Sequence, residues 1–269
     1  MTQPRNQIWA LALIVVVAAL SRADDTAPPA APDEAPKQQL IKLAKDHDVW
    51  VDPQRKLVVV DGEVAMREGG LEMFACPKGS KEHESVVAVR SNAQLVHAGL
   101  LAVGAIAGHP VQFDPKYVSA TGTTIDIFVL WQDDKGKHKV RAQEWVQDAT
   151  TGEEMKHDWV FGGSGFWTDP STGEKYYHAD GGDFICLSNF STATLDLPIE
   201  SSQANSALLF SAFTERIPPR GTKVRLVLIP RLEKKSQEAP KKDATEQDTP
   251  AKPGSDEELP KKDKAKEQE

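Results

Sequence analysis

The sequence predicts an α+β fold, a β-rich single domain of mainly antiparallel strands with two or three helices. Three observations predict it. Short β-branched and aromatic runs recur between turn residues from Val49 to Ile229. Two segments carry helical rather than alternating apolar spacing. No regular alternation of strand and crossover helix is visible, which argues against a doubly wound parallel sheet.

In chain order, Val49-Trp50-Val51 and Leu57 to Val60 are β-branched runs split by the turn pair Asp52-Pro53. Glu63 to Met66 and Leu71 to Ala75 follow around Gly69-Gly70, and Val86 to Val89 is another short run. Ser91 can cap a helix that starts at Asn92, shows Leu95, Val96, Leu100 and Val103 on one face, and stops at Gly104. From Thr123 to Trp131 the residues alternate, with Ile125, Ile127 and Val129 on one face and Asp126 and Phe128 on the other. Asp134-Lys135-Gly136 then turns the chain into a return strand from Val140 to Val146. Trp159 to Phe161 and Phe166-Trp167 flank a glycine-rich bend, Gly162 to Gly165, and a Pro-initiated turn at Asp169-Pro170 leads to Tyr176-Tyr177. Phe184 to Leu187 and Val224 to Ile229 complete the strands, and a second helix is expected from Ser202 to Phe213.

The flanks differ from this core. Arg5 precedes an apolar run, Ile8 to Leu20, followed by Ser21-Arg22-Ala23, which matches a signal peptide over residues 1–23. The run is short for a membrane span of about 20 residues. Residues 24–37 form a Pro/Ala-rich linker, residues 38–233 the globular domain, and residues 234–269 a charged tail whose composition predicts disorder. Export to the periplasm or the extracellular space follows, with no membrane span after cleavage. The net charge of −8 and the mixed signs of the tail exclude general attraction to nucleic acid.

The densest polar stretch is Cys76-Pro77-Lys78-Gly79-Ser80-Lys81-Glu82-His83-Glu84-Ser85. Three chemistries fit it. In an oxidising compartment Cys76 and Cys186, the two cysteines of the chain, suggest a disulfide, the alternative being that both stay separate as buried, inert thiols. Cys76, His83, His178 and Cys186 could instead hold a divalent transition metal in a redox or metal-binding protein. A hydrolase would use Cys76 or Ser85 as nucleophile with His83 as base. An iron–sulfur cluster needs about four cysteines and is excluded for one chain. Lys81, Glu84, Asp180 and Asp183 are further candidate ligand-binding residues. Gly162-Gly163-Ser164-Gly165-Phe166 departs from a nucleophile elbow at Phe166, and Trp167 lies too near the following turn for a WW module. His97 falls beside the apolar stripe of its helix and reads as a packed histidine. With no complete catalytic motif, a noncatalytic binding or structural module is the leading expectation.

Gly70-Leu71-Glu72, Cys76, Lys81-x-His83-Glu84-Ser85 and Leu95-x-His97-Ala98-x-Leu100-Leu101-x-x-Gly104 together resemble the YdjY-domain family of exported bacterial proteins. Asp180-Gly181-Gly182-Asp183 and Glu200-Ser201-Ser202-Gln203-Ala204-Asn205 are similar to its planctomycete-type members, and the resemblance spans about residues 47–232. It implies an exported domain and supplies no reaction. Some members carry ferredoxin-like labels, which the cysteine count does not support here.

Overall fold

The computed structural model describes residues 40–201 and 208–232. The expected signal peptide, linker and tail lie outside them, as does the first half of the expected second helix. The elements are β1 (Ile41–Lys42), β2 (Val49–Asp52), β3 (Leu57–Val64), β4 (Met73–Pro77), β5 (Ser85–Val89), α1 (Ala93–Ala102), β6 (Thr124–Asp133), β7 (Gly136–Arg141), β8 (Val146–Asp148), β9 (Trp159–Phe161), β10 (Phe166–Thr168), β11 (Lys175–Tyr177), β12 (Ile185–Cys186), β13 (Leu195–Asp196), β14 (Phe210–Ala212) and β15 (Lys223–Pro230).

Eight strands close into a barrel in the order β3-β15-β6-β9-β13-β12-β4-β5, with β5 pairing back to β3. Strands β1 and β2 extend the sheet from β3, and β7 extends it from β6. The alternation expected in the sequence builds the best-paired wall. Val58 and Val60 of β3 register with Leu228 and Leu226 of β15, which register with Ile127 and Val129 of β6, and all six are fully buried. Phe74, Trp159, Phe161 and Phe184 supply the bulk of the packing where strands are shortest, and the Trp159 indole donates to the Cys186 carbonyl at 2.7 Å.

The expected α+β class is corrected by this closure. Among the described residues one α-helix is present, α1. The end of the expected second helix is strand β14, in which buried Phe210 and Ala212 alternate with Ser211 and pair with β8. A short apolar run such as Leu208 to Phe213 fits either period, and the partner strand decides. The β6–β7 hairpin forms as expected, with Gly136 at φ 127°. Its return strand ends at Arg141, because Ala142–Trp145 winds into a 3-10 turn that buries Trp145. Helix α1 begins one residue later than expected, with Asn92 rather than Ser91 as its cap; the Asn92 side chain accepts from Leu95 N at 3.0 Å.

Two strand pairs are parallel, β4 with β5 and β12 with β13. Parallel neighbours usually need a crossover of about a dozen residues or more. Here residues 78–84 and residues 187–194 suffice, each doubling back along its own pair as a strap. Both faces of β4 and β5 are buried in consequence, which explains their unbroken apolar runs.

Candidate functional site

The polar stretch after Cys76 is the first strap. A strap without strand partners must satisfy its own backbone, and its side chains do so. Ser80 Oγ donates to Pro77 O at 2.5 Å, Glu82 Oε1 accepts from Gly79 N at 2.5 Å, and Lys78 N donates to Val89 O at 2.9 Å. Lys78 and Lys223 both contact the Glu63 carboxylate, whose hydrogen bonds to them hold its pKa down at about 2.

Lys81 joins the first strap to the second. Its ammonium lies 3.0 Å from Asp183 Oδ1, 3.6 Å from Glu84 Oε1 and 4.3 Å from the centroid of Phe190. Thr192 Oγ1 donates to the other Asp183 oxygen. Beneath the lysine stem, Met73, Cys186, Ala193 and Phe190 form a small outer core, separate from the barrel interior. Burial alone would lower the Lys81 pKa; Asp183 and then Glu84 outweigh it, and the ammonium is held charged. Glu72 completes the cluster. Burial raises its pKa, and the facing Glu84 carboxylate raises it further. Gly182 has φ 135°, and a Cβ there would meet Lys81 Cγ at 2.5 Å, so this glycine makes room for the lysine. We call this arrangement the clasp. It unites Lys81, Glu84 and Asp183 of the expected binding set.

The fourth member, Asp180, does different work. Its Oδ1 accepts from Ala93 N at 2.7 Å and Gln94 N at 3.1 Å, closing the first turn of α1 from another part of the chain. His97, as expected, is a packed histidine: its Nδ1 is 2.8 Å from the Tyr177 hydroxyl, and burial lowers its pKa. Ser164 sits in the glycine-rich bend at φ 52° with its hydroxyl donating to Thr192 O at 2.6 Å, a structural contact.

The reactive arrangements expected of Cys76, His83, Ser85, His178 and Cys186 do not form. Both cysteines are free and buried. Cys186 registers opposite Met73, three residues from Cys76, an offset of about 10 Å along the strand where a disulfide allows about 4.4–6.8 Å between Cα atoms. Burial pushes both thiols up, Cys186 the further. His83 is 78% exposed and its nearest charged partner is Glu84 at 3.8 Å, whereas Cys76 and Ser85 are fully buried. His83 edges a shallow cleft of about 490 Å³ in which no hydroxyl or thiol takes part. His178 is exposed at the start of the short 3-10 turn that follows β11. Among the described residues no group of three or more His, Cys, Asp or Glu side chains is arranged to hold a metal ion.

Two features escaped the sequence reading. Asp196 is fully buried in β13: its Oδ1 accepts from Asn189 Nδ2 and Leu197 N, its Oδ2 has no hydrogen-bond partner, and burial raises its pKa to about 7. An aspartate between Leu195 and Leu197 was the available signal. The second is the β10–β11 hairpin. Its register pairs Trp167 with Tyr176 on one face and Phe166 with Tyr177 on the other. Tyr177 is buried, so Trp167 and Tyr176 point away from the core, each 47% exposed, with ring centroids 5.8 Å apart and planes tilted by 30°. They border a cleft of about 700 Å³ whose polar rim includes Gln94, Asp169, Lys175 and His178. The side chains of Gln94, Lys175 and His178 form no hydrogen bond or ion pair with the described residues. Period-two reading of Phe166-Trp167 and Tyr176-Tyr177 would have exposed this face.

Among the described residues no helix is long and apolar enough to cross a membrane. No curated protein and no solved structure matches the chain. A family model, the YdjY domain, matches residues 49–229, from the second strand to the last strand of the barrel. The chain therefore belongs to the YdjY-domain family.

Proposed function

We propose that this domain is a noncatalytic binding module of an exported protein, and that it binds through the cleft beside the β10–β11 hairpin. One observation carries the reading. The cleft combines a half-exposed Trp167–Tyr176 plate with rim side chains whose hydrogen-bonding capacity is unused, whereas the clasp groups are engaged with one another. Concave sites that join apolar area to a few convergent polar groups are where ligands bind, and exposed aromatic area is retained where a partner covers it. Export is supported by the apolar run Ile8 to Leu20 and the small residues Ser21 and Ala23 behind it.

A thermal-shift screen against a chemically diverse set of small molecules tests the cleft. Compounds that stabilise the wild-type chain are expected to lose their effect on the Trp167→Ala/Tyr176→Ala variant. Compounds that stabilise both equally, or that are converted to products, would overturn the reading. N-terminal sequencing of the exported chain is expected to begin at Asp24; retention in the cytoplasm would contradict export.

A further inference from the structure

We infer that the hairpin cleft takes a carbohydrate, with a pyranose ring stacked on Trp167 and Tyr176. The inference rests on the binding reading above and adds the ligand class. A pyranose ring has two chemically distinct aspects. Its faces carry C–H groups, slightly positive and apolar, and its edge carries hydroxyls that both donate and accept. An aromatic face carries the complementary negative charge of its quadrupole. The cleft offers both complements in one place.

The plate comes first. Trp167 and Tyr176 are directly opposite in the hairpin register, each 47% exposed, with ring planes tilted by 30°. The Tyr176 hydroxyl donates to Glu174, which fixes the ring without using its face. The opposite hairpin face is anchored, because the Tyr177 hydroxyl bonds Gly163 O at 3.0 Å and lies 3.1 Å from Thr194 Oγ1. Strand pairing and this anchor hold the plate before a ligand arrives, which reduces the ordering cost of binding.

The rim comes second. Gln94 offers an amide that donates and accepts, Lys175 donates, and His178 does either according to its tautomer. That mixture suits hydroxyls. It does not suit a polyanion, since Asp169 and Asp180 share the cleft with Lys175 and the chain is acidic as a whole. A proline-rich peptide needs a succession of aromatic grooves; of the two ring pairs on the hairpin, which lie on opposite faces, Trp167–Tyr176 is the one exposed along the cleft. The volume of about 700 Å³ is that of a small-ligand site.

Calorimetric titration of the full chain tests the assignment, using soluble β-linked hexasaccharides of glucose, xylose and N-acetylglucosamine, with decaproline as the comparator. At least one saccharide is expected to bind saturably. Trp167→Ala should weaken it by about tenfold or more, Trp167→Phe by about threefold or less, and His83→Ala not measurably. Circular dichroism of each variant confirms folding, and the conservative Trp167→Phe separates loss of stacking from loss of structure. Saccharide binding that survives Trp167→Ala would overturn the site. Decaproline binding that depends on Trp167, with no saccharide bound, would overturn the ligand class and leave the binding cleft standing. Absence of binding by every probe, together with no Trp167-dependent hit in the thermal-shift screen, would overturn both.

Discussion

The clasp and the hairpin cleft contain similar side chains and put them to opposite use. In the clasp, Lys81, Glu84 and Asp183 spend their charge on one another, and Lys81 also covers Phe190. In the cleft, Gln94, Lys175 and His178 face open space beside two exposed aromatic rings. The clasp has the richer chemistry in sequence, and the cleft has the capacity left over. Unused hydrogen-bonding capacity beside exposed aromatic area, rather than density of reactive residue types, is what singles out the proposed binding surface.

The comparison can be broken or sharpened by substitution. The largest effect is expected in the buried layer under the second strap. Asp196 keeps its proton in the native state up to about pH 7, while the unfolded chain releases it near 4. Native protein then binds more protons than unfolded protein in that interval, so stability falls as pH rises from about 4 to about 7 and levels off above. Asp196→Asn should remove this slope and stabilise the protein at pH 8, by an amount on the order of 4 kcal/mol. Urea midpoints measured from pH 4 to 8 in both proteins decide it, and an unchanged slope would show that Asp196 is ionised in the fold.

Next comes the clasp itself. Asp183→Ala removes the closer partner of a half-buried ammonium and, discounted for solvent screening, should cost about 1–2 kcal/mol by urea denaturation. Gly182→Ala adds a Cβ at φ 135° against the Lys81 stem and should cost about 2 kcal/mol by the same assay. The smallest effects belong to the exposed side. Trp167→Ala and His83→Ala should each leave stability within about 0.5 kcal/mol. A loss of several degrees in melting temperature for Trp167→Ala would mean that the hairpin plate is structural, and the contrast between the two regions would collapse.

The sequence made part of this legible. Alternation from Thr123 to Trp131 marks β6 because one face is buried and the other wet, and Gly136 marks the hairpin because it takes φ 127°. Barrel closure was not legible, since it depends on β3 meeting β5 and on β13 meeting β9 across long stretches of chain. The parallel pairs were hidden because their connections are straps shorter than a crossover helix. At the site, Lys81, Glu84 and Asp183 stood out as polar residues, but composition cannot say whether a charge is paired. Trp167 and Tyr176 stood out as a hairpin and not as a surface. Their register opposite to buried Tyr177 shows that these two rings face away from the core.

One measurement tests the central contrast most directly: urea unfolding of Lys81→Met beside Trp167→Ala, at neutral pH and equal ionic strength. Lys81→Met keeps the stem over the outer core and removes the charge that Asp183 and Glu84 share. It is predicted to lower stability by about 2 kcal/mol while Trp167→Ala leaves the midpoint unchanged. An unchanged midpoint for Lys81→Met would contradict the account, because the clasp would then be contributing nothing to the fold and its charges would be free for another role.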